Sequence, residues 1–357
     1  MDYLPSKIFL NGTKEDITVL AIARNEMLRM PFFLEYYRRI GVKDFIIIDN
    51  GSDDGMGEYL DNQGDVQRIY TELEYKDLEA KWRTDLANKY FDNQWLLFAD
   101  IDELFIYPGQ GKISLTKICQ WWKSNDWYVI FTPMVDMYSS KPLSEVKYQS
   151  GDEFWQCSDL FDNFGYRLDI RNNRKFSKIP NFSLYGGPRE RFFGNSYNKL
   201  SAFEKKIHEY FYSLSPKPRS KTLKRIAKLY LKKKWASSFL MHKVPLVYWK
   251  KGFKISAGAH FLEASDNYSI DNLALDWCPL LHFKYFDDFA EKVRVEAQRK
   301  QHFNGAVQYI KYNDKMSSLL HADMTCEYST HFTGYDSMVK SSLAKVSDKT
   351  RDMLNLC

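Results

Sequence analysis

The sequence predicts an α/β fold with a mostly parallel central sheet flanked by helices. Two observations carry that expectation. Short apolar runs alternate with helical patterns through the first 135 residues, as βαβ units require. Three of those runs end in polar clusters, Arg24-Asn25-Glu26, Asp49-Asn50-Gly51-Ser52 and Asp100-Ile101-Asp102. Ligands of such sheets bind at the carboxyl ends of the strands.

Residues 17–23 (ITVLAIA) form an apolar run suited to a buried parallel strand. Pro31 opens a helical pattern in which Phe33, Leu34, Tyr37 and Ile40 share one stripe, and Gly41 stops it. Residues 44–49 (DFIIID) predict the second strand, with 50–55 as its turn. Residues 66–70 predict a third strand, 76–91 a helix, and 95–99 (WLLFA) a fourth strand running straight into Asp100. A further strand is expected over 127–134. From there to about residue 200 the pattern is irregular and rich in aromatics, Asn and Gly, as surface loops forming a second binding face would be. A basic helical stretch is expected over 216–235 and a final helical part from Asp287 towards Lys311. The polar, Ser/Lys-rich end of the chain is expected to be loosely held, and no internal repeat is present.

With 357 residues and 44% apolar content the chain can bury a full core, and its composition is far from that of a disordered protein. A net charge of +5 over this length gives no reason to invoke nucleic acid as a partner. The five cysteines are scattered and form no C-x-x-C pair, which suggests free thiols in a reducing compartment. Residues 1–5 do not open a secretory pattern, and no run reaches the roughly 18 apolar residues of a membrane span. A cytoplasmic protein is therefore expected.

Asp100-x-Asp102 is the first chemical motif. Two carboxylates one residue apart at a strand end can hold Mg²⁺ or Mn²⁺ and leave positions for phosphate oxygens. A solvated acidic turn would carry the same letters, so the strand context is what gives the motif weight. Asp49 and Asn50 are the second candidate pair. A side-chain acceptor there can take the imide N–H of uracil, while Gly51 lets a ring approach the backbone. An Asx-type turn explains that run equally well.

Taken in order, Ala23-Arg24-Asn25-Glu26, Ile48-Asp49-Asn50-Gly51-Ser52-x-Asp54-Gly55 and Trp95-Leu96-Leu97-Phe98-x-Asp100-Ile101-Asp102-Glu103-Leu104 resemble the motifs of glycosyltransferase family 2. They most resemble its bacterial branch, in which the metal motif reads D-x-D-E-F/L. Further matches are Gly186-Gly187-Pro188-Arg189-Glu190-Arg191-Phe192, Lys243-Val244-Pro245-Leu246-Val247, Ala259-His260-Phe261 and Leu281-His282-Phe283-Lys284-Tyr285, so the resemblance extends from about residue 17 to about 312.

The resemblance implies a GT-A fold, a nucleotide-sugar donor (UDP by family habit), a divalent metal and inversion at the anomeric carbon. It divides the chain into a donor- and metal-binding half over 1–135, an acceptor and catalytic half over 136–312, and a tail over 313–357. Asn25, Glu26, Asp49 and Asn50 would line the nucleotide pocket, and Asp100 and Asp102 the metal–diphosphate site, with Asp102 also catalytic. A late histidine near the metal would be His260 or His282. Glu190 would be the general base on the acceptor side. Arg189 and Arg191 would clamp phosphate or an acidic acceptor, and Arg83 would face the donor phosphates. The Glu-Asp pair common in this family is absent near Glu190. The implied acceptor is a glycan or lipid-linked glycan of the cell-envelope polysaccharide or lipopolysaccharide kind.

The basic stretch 216–235 interleaves Lys and Arg with Leu223, Ile226, Leu229, Tyr230 and Leu231, as a helix on an anionic membrane face would. A solvated helix face is the plainer explanation. Two rivals compete with the enzyme reading. A sugar nucleotidyltransferase would need a Gly-rich loop after the first strand, where this chain has Arg-Asn-Glu. A non-catalytic glycan-binding protein would not need the acidic cluster. A dehydrogenase is disfavoured because no G-x-G-x-x-G follows a strand.

Overall fold

Short apolar strands pair edge to edge into one ten-stranded sheet, and helices cover its faces. The computed structural model describes residues 4–75, 78–170, 178–193, 200–212, 214, 220–231, 239–264, 268–299 and 303–355. Strands β1 (Thr18–Ala23), β2 (Asp44–Asp49), β3 (Val66–Tyr70) and β4 (Gln94–Phe98) are mutually parallel in the order β3-β2-β1-β4. Every residue of β1, β2 and β4 is buried, as strands covered on both faces must be. Helix α1 (Met30–Arg39) starts on Pro31, buries Phe33, Leu34 and Tyr37, and is followed by Gly41 at φ +105°. Helices α2 (Met56–Asp61) and α3 (Glu79–Tyr90) complete the crossovers.

Beyond β4 the sheet is mixed, which corrects the expectation of a mostly parallel one. It continues with β5 (Glu103–Phe105), β6 (Val129–Asp136), β7 (His242–Lys243), β8 (Leu246–Trp249), β9 (Leu273–Trp277) and β10 (Leu280–His282). The order runs β3-β2-β1-β4-β8-β6-β10-β5, with β7 and β9 also paired to β6. Strand β8 enters antiparallel between β4 and β6, so β6 runs parallel to β4. Helical crossovers make β1 to β4 parallel, whereas β7, β8 and β10, which return from residue 242 onwards, pair antiparallel with β6, β4 and β5 across more than 100 residues of chain.

Helix α4 (Leu115–Ser124), absent from the sequence expectation, is capped by Ser114, whose Oγ accepts from the Lys117 N–H at 3.2 Å. Then follow α5 (Gly187–Phe193), α6 (Ala202–Tyr212), α7 (Lys221–Leu231), α8 (Phe289–Arg299), α9 (Phe303–Leu319), α10 (Tyr335–Lys340) and α11 (Asp348–Asn355). The basic helix is thus seen as α7, while residues 216–219 and 232–235 lie outside the described residues.

The end of the chain is not loosely held. Trp277 and Lys345 form a backbone bridge, and the buried Asp276 accepts from Ser347 N (2.6 Å), Thr350 Oγ1 (2.6 Å) and Trp122 Nε1 (2.8 Å). One apolar core joins both halves of the sheet, and a smaller cluster of Leu200, Tyr212, Ala227 and Leu231 lies under α6 and α7. Among the described residues no helix is long and apolar enough to cross a membrane.

Candidate functional site

Strand direction assembles the site. Because β1, β2 and β4 are parallel, Arg24–Glu26, Asp49–Ser52 and Asp100–Asp102 emerge at one edge of the sheet. Strands β6 and β10 run the same way and end there on Asp136 and His282, while β5 runs the other way and begins there on Glu103. The register pairs His282 with Asp136 on one side and with Glu103 on the other. Directly opposed residues project to the same face, so one imidazole stands between two carboxylates.

His282 Nδ1 lies 2.6 Å from Asp136 Oδ1, and its Nε2 lies 3.3 Å from Asp102 Oδ2. Arg189 grips Asp136 through Nε at 3.1 Å and Nη2 at 2.6 Å. Burial opposes ionisation of Asp136, yet Arg189 and His282 hold its carboxyl well below the usual range. Asp102 is likewise held low, chiefly by His282, against the effect of its own burial. Glu103 behaves differently, because burial pushes its pKa up in spite of Lys243 beside it.

Asp102, Glu103 and His282 each offer one ligand atom, all within 4.8 Å of one another. Two carboxylate oxygens and an imidazole nitrogen form a donor set that suits a divalent ion such as Mn²⁺. Asp136, which accepts the Nδ1 proton, directs the Nε2 lone pair to the other side, as carboxylates behind metal-binding histidines do. The residues present therefore fit a divalent metal.

Asp100 stands beside this trio rather than in it. Lys243 Nζ lies 2.7 Å from Asp100 Oδ2 and 2.6 Å from Glu103 Oε1, and Arg83 hydrogen-bonds the other Asp100 oxygen. The Asp100 N–H donates to Glu103 Oε2 at 3.1 Å, so the acidic motif folds back on itself. His260 also falls outside the trio. Its Nδ1 lies 2.6 Å from the His242 carbonyl oxygen, and burial, with Lys243 next in effect, lowers its pKa to about 4.

The Gly-Gly-Pro-Arg-Glu-Arg run divides its side chains. Gly186 sits at φ +109°, and a methyl there would meet the Gly165 carbonyl oxygen at 2.0 Å. That close approach starts α5 in the orientation that brings Arg189 to Asp136. Glu190 is buried and ion-paired to Arg167 at 2.6 Å. Arg191 binds Asp162 at 2.9 and 3.0 Å and the Met324 carbonyl at 2.7 Å.

The proposed nucleotide residues clasp two loops together. Asn25, at φ +51°, donates through Nδ2 to Asp53 Oδ1 (2.8 Å) and accepts the Asp53 N–H (3.0 Å). Asp49 is fully buried and accepts from Ser52 N (2.9 Å) and Arg68 Nε (2.8 Å). Asn50 donates to the Thr71 and Leu73 carbonyls at 3.2 and 2.9 Å, while its Oδ1 is buried without a hydrogen-bond partner among the described residues. Glu26 meets Lys292 Nζ at 2.6 Å, and burial raises its pKa.

Four site residues escape the sequence reading: Glu103, Asp136, Lys243 and Lys284. Glu103, Lys243 and Lys284 lie in motifs quoted above and Asp136 just past the strand expected over 127–134, but only the fold brings them together. The Lys284 ammonium rests over the rings of Tyr312 (4.8 Å) and Tyr309 (4.9 Å). Among the described residues no carboxylate lies within ion-pair distance of it. Burial and then Arg189 lower its pKa to about 8.

This edge thus carries a metal-type donor set with the Lys284 ammonium beside it. No family model matches the chain. Over 99 residues, 27% of the chain, it is 29% identical to a glycosyltransferase family 92 protein of Oryza sativa subsp. japonica. The match spans 17% of that relative's own length. The chain thus carries a glycosyltransferase-like segment, and the relative's family is 92 where the motifs resemble family 2. The inositol-1-phosphate CTP transferase of T. maritima is 14% identical over 46% of this chain and 62% of its own, with a TM-score of 0.23, below that of a shared fold.

Proposed function

We propose that this protein is a metal-dependent glycosyltransferase of GT-A type. It would move a sugar from a nucleoside diphosphate, UDP first among them, to a hydroxyl of a glycan or glycolipid with inversion. The observation that carries the reading is the row Glu103, His282 and Asp136 with Asp102 beside it, at the strand edge that also bears Asn25, Glu26 and Asn50. The similarity to a glycosyltransferase supports the same class.

Asp102, Glu103 and His282 would hold Mn²⁺ or Mg²⁺, with Asp100 alongside. When bound, such an ion supplies positive charge against that of the leaving diphosphate. Lys284, a cation on a tyrosine platform with no carboxylate partner among the described residues, would take a phosphoryl oxygen. Asn50 Oδ1, a buried acceptor without a donor among the described residues, would be satisfied by the imide N–H of the base. Asp49 would act indirectly, holding the turn through Ser52 and Arg68. Glu190, ion-paired to Arg167 at 2.6 Å, would be the general base on the acceptor side.

The test is thermal stabilisation by UDP, GDP, CDP and ADP, each with Mn²⁺ or with EDTA. One nucleotide is expected to raise Tm by about 5 °C near saturation, only with metal. Asp102→Asn should abolish that shift. No shift with any nucleotide in folded protein would overturn the reading in favour of a non-catalytic glycan-binding protein.

A further inference from the structure

We propose that the α6–α7 pair docks on the surface of an anionic lipid bilayer, independently of what the strand-edge site does. Helix α7 presents three arcs. Ala227 and Leu231 turn into the small cluster with Leu200 and Tyr212. Arg225 and Lys228 form an exposed basic arc. On the third arc Leu229 is 72% exposed, and Leu223, Ile226 and Tyr230 are each more than half exposed. At about 100° per residue those four side chains form one continuous strip. Helix α6 adds Phe203 and Tyr210, also more than half exposed and one heptad apart.

Single exposed apolar residues need no explanation, but six on two adjoining helices do. The charge around them identifies the occupant. Residues 216–235 contain nine Lys and Arg and no Asp or Glu. Among the described residues of that stretch, Arg225 and Lys228 are exposed, Lys228 meets Asp169 at 2.8 Å and Lys224 lies over the Tyr212 ring at 5.0 Å. A nucleic-acid backbone would account for the cations but not for the leucine and isoleucine strip. An apolar protein groove would account for the strip but not for the cations. A bilayer with anionic headgroups accounts for both, the strip entering the acyl boundary and the lysines meeting phosphate.

The experiment is co-sedimentation of the full chain with phosphatidylcholine vesicles, with and without phosphatidylglycerol, at low and high salt. Wild type should bind the anionic vesicles, less so at high salt. Ile226→Glu/Leu229→Glu should bind about tenfold less or weaker still, with unchanged Tm. Ile226→Ser/Leu229→Ser should fall between them, which separates lost insertion from added repulsion. Binding unchanged in both variants, or no binding by wild type, would overturn the proposal. So would retention of duplex DNA or RNA in place of vesicles, or self-association that the same substitutions abolish while vesicle binding is absent.

Discussion

His282 is asked to carry opposite charge states with and without a metal. In the metal-free protein burial disfavours its cation, but Asp102 and Asp136 outweigh burial and raise the pKa above the ordinary histidine value. A folded pKa above the unfolded one gives stability that is fully present below the unfolded value and is lost as pH rises through the folded value. EDTA-treated wild type should therefore lose stability relative to His282→Gln as pH is raised from about 6.5, the ordinary histidine value, into the alkaline range. Mn²⁺ should reverse the trend, because metal and proton compete for Nε2 and the metal wins as pH rises. Urea midpoints of both proteins across that range provide the check. Parallel slopes in wild type and variant would remove His282 from the linkage.

Helix α5 places Arg189, and Gly186 sets where the helix starts. With φ at +109° and the Gly165 carbonyl 2.0 Å from any added methyl, Gly186→Ala meets two obstacles at once. Backbone strain and overpacking together should cost about 3 kcal/mol or more in urea unfolding. A loss below about 1 kcal/mol would mean that α5 can start elsewhere. The sequence carries this glycine pair as a motif but not its reason, which is a carbonyl 21 residues away in the chain. The same division holds for the strands. β1, β2 and β4 are legible because strands buried on both faces become continuous apolar runs. Strands β7 to β10 are two to five residues long and leave no period to read. Asp136 obeys the strand-end rule that selects Asp49 and Asp100, but the apolar run of β6 was expected to stop at Met134. The choice between His260 and His282 rests on three-strand register, which single-sequence patterns do not contain.

At the scale of the whole molecule, the Ser/Lys-rich end of the chain reads as solvated because composition reports local character and not distant partners. Its partners are fixed from elsewhere: Asp276 on β9, Trp122 on α4, and Arg191 of α5, which donates to the Met324 carbonyl. Asp276 is wholly buried, and two of the three donors named for it, Ser347 N and Thr350 Oγ1, come from the last stretch. A chain ending at residue 344 would leave that carboxylate with Trp122 Nε1 alone of the three. Stranding a buried charge costs about 3 kcal/mol or more, so the truncated protein should lose at least that much in urea. Lost packing around Trp277 and Tyr335 would lower stability as well, so truncation alone does not isolate the carboxylate. Asp276→Asn separates the two effects. In the full chain it should destabilise, since an amide fits the three donors less well. In the truncated chain it should restore part of the loss, because an unpaired amide is cheaper to bury than an unpaired carboxylate. A sign change between the two backgrounds is the expected result of the double-mutant comparison. The same destabilisation in both would mean that the tail contributes through apolar contact, with Asp276 incidental to it.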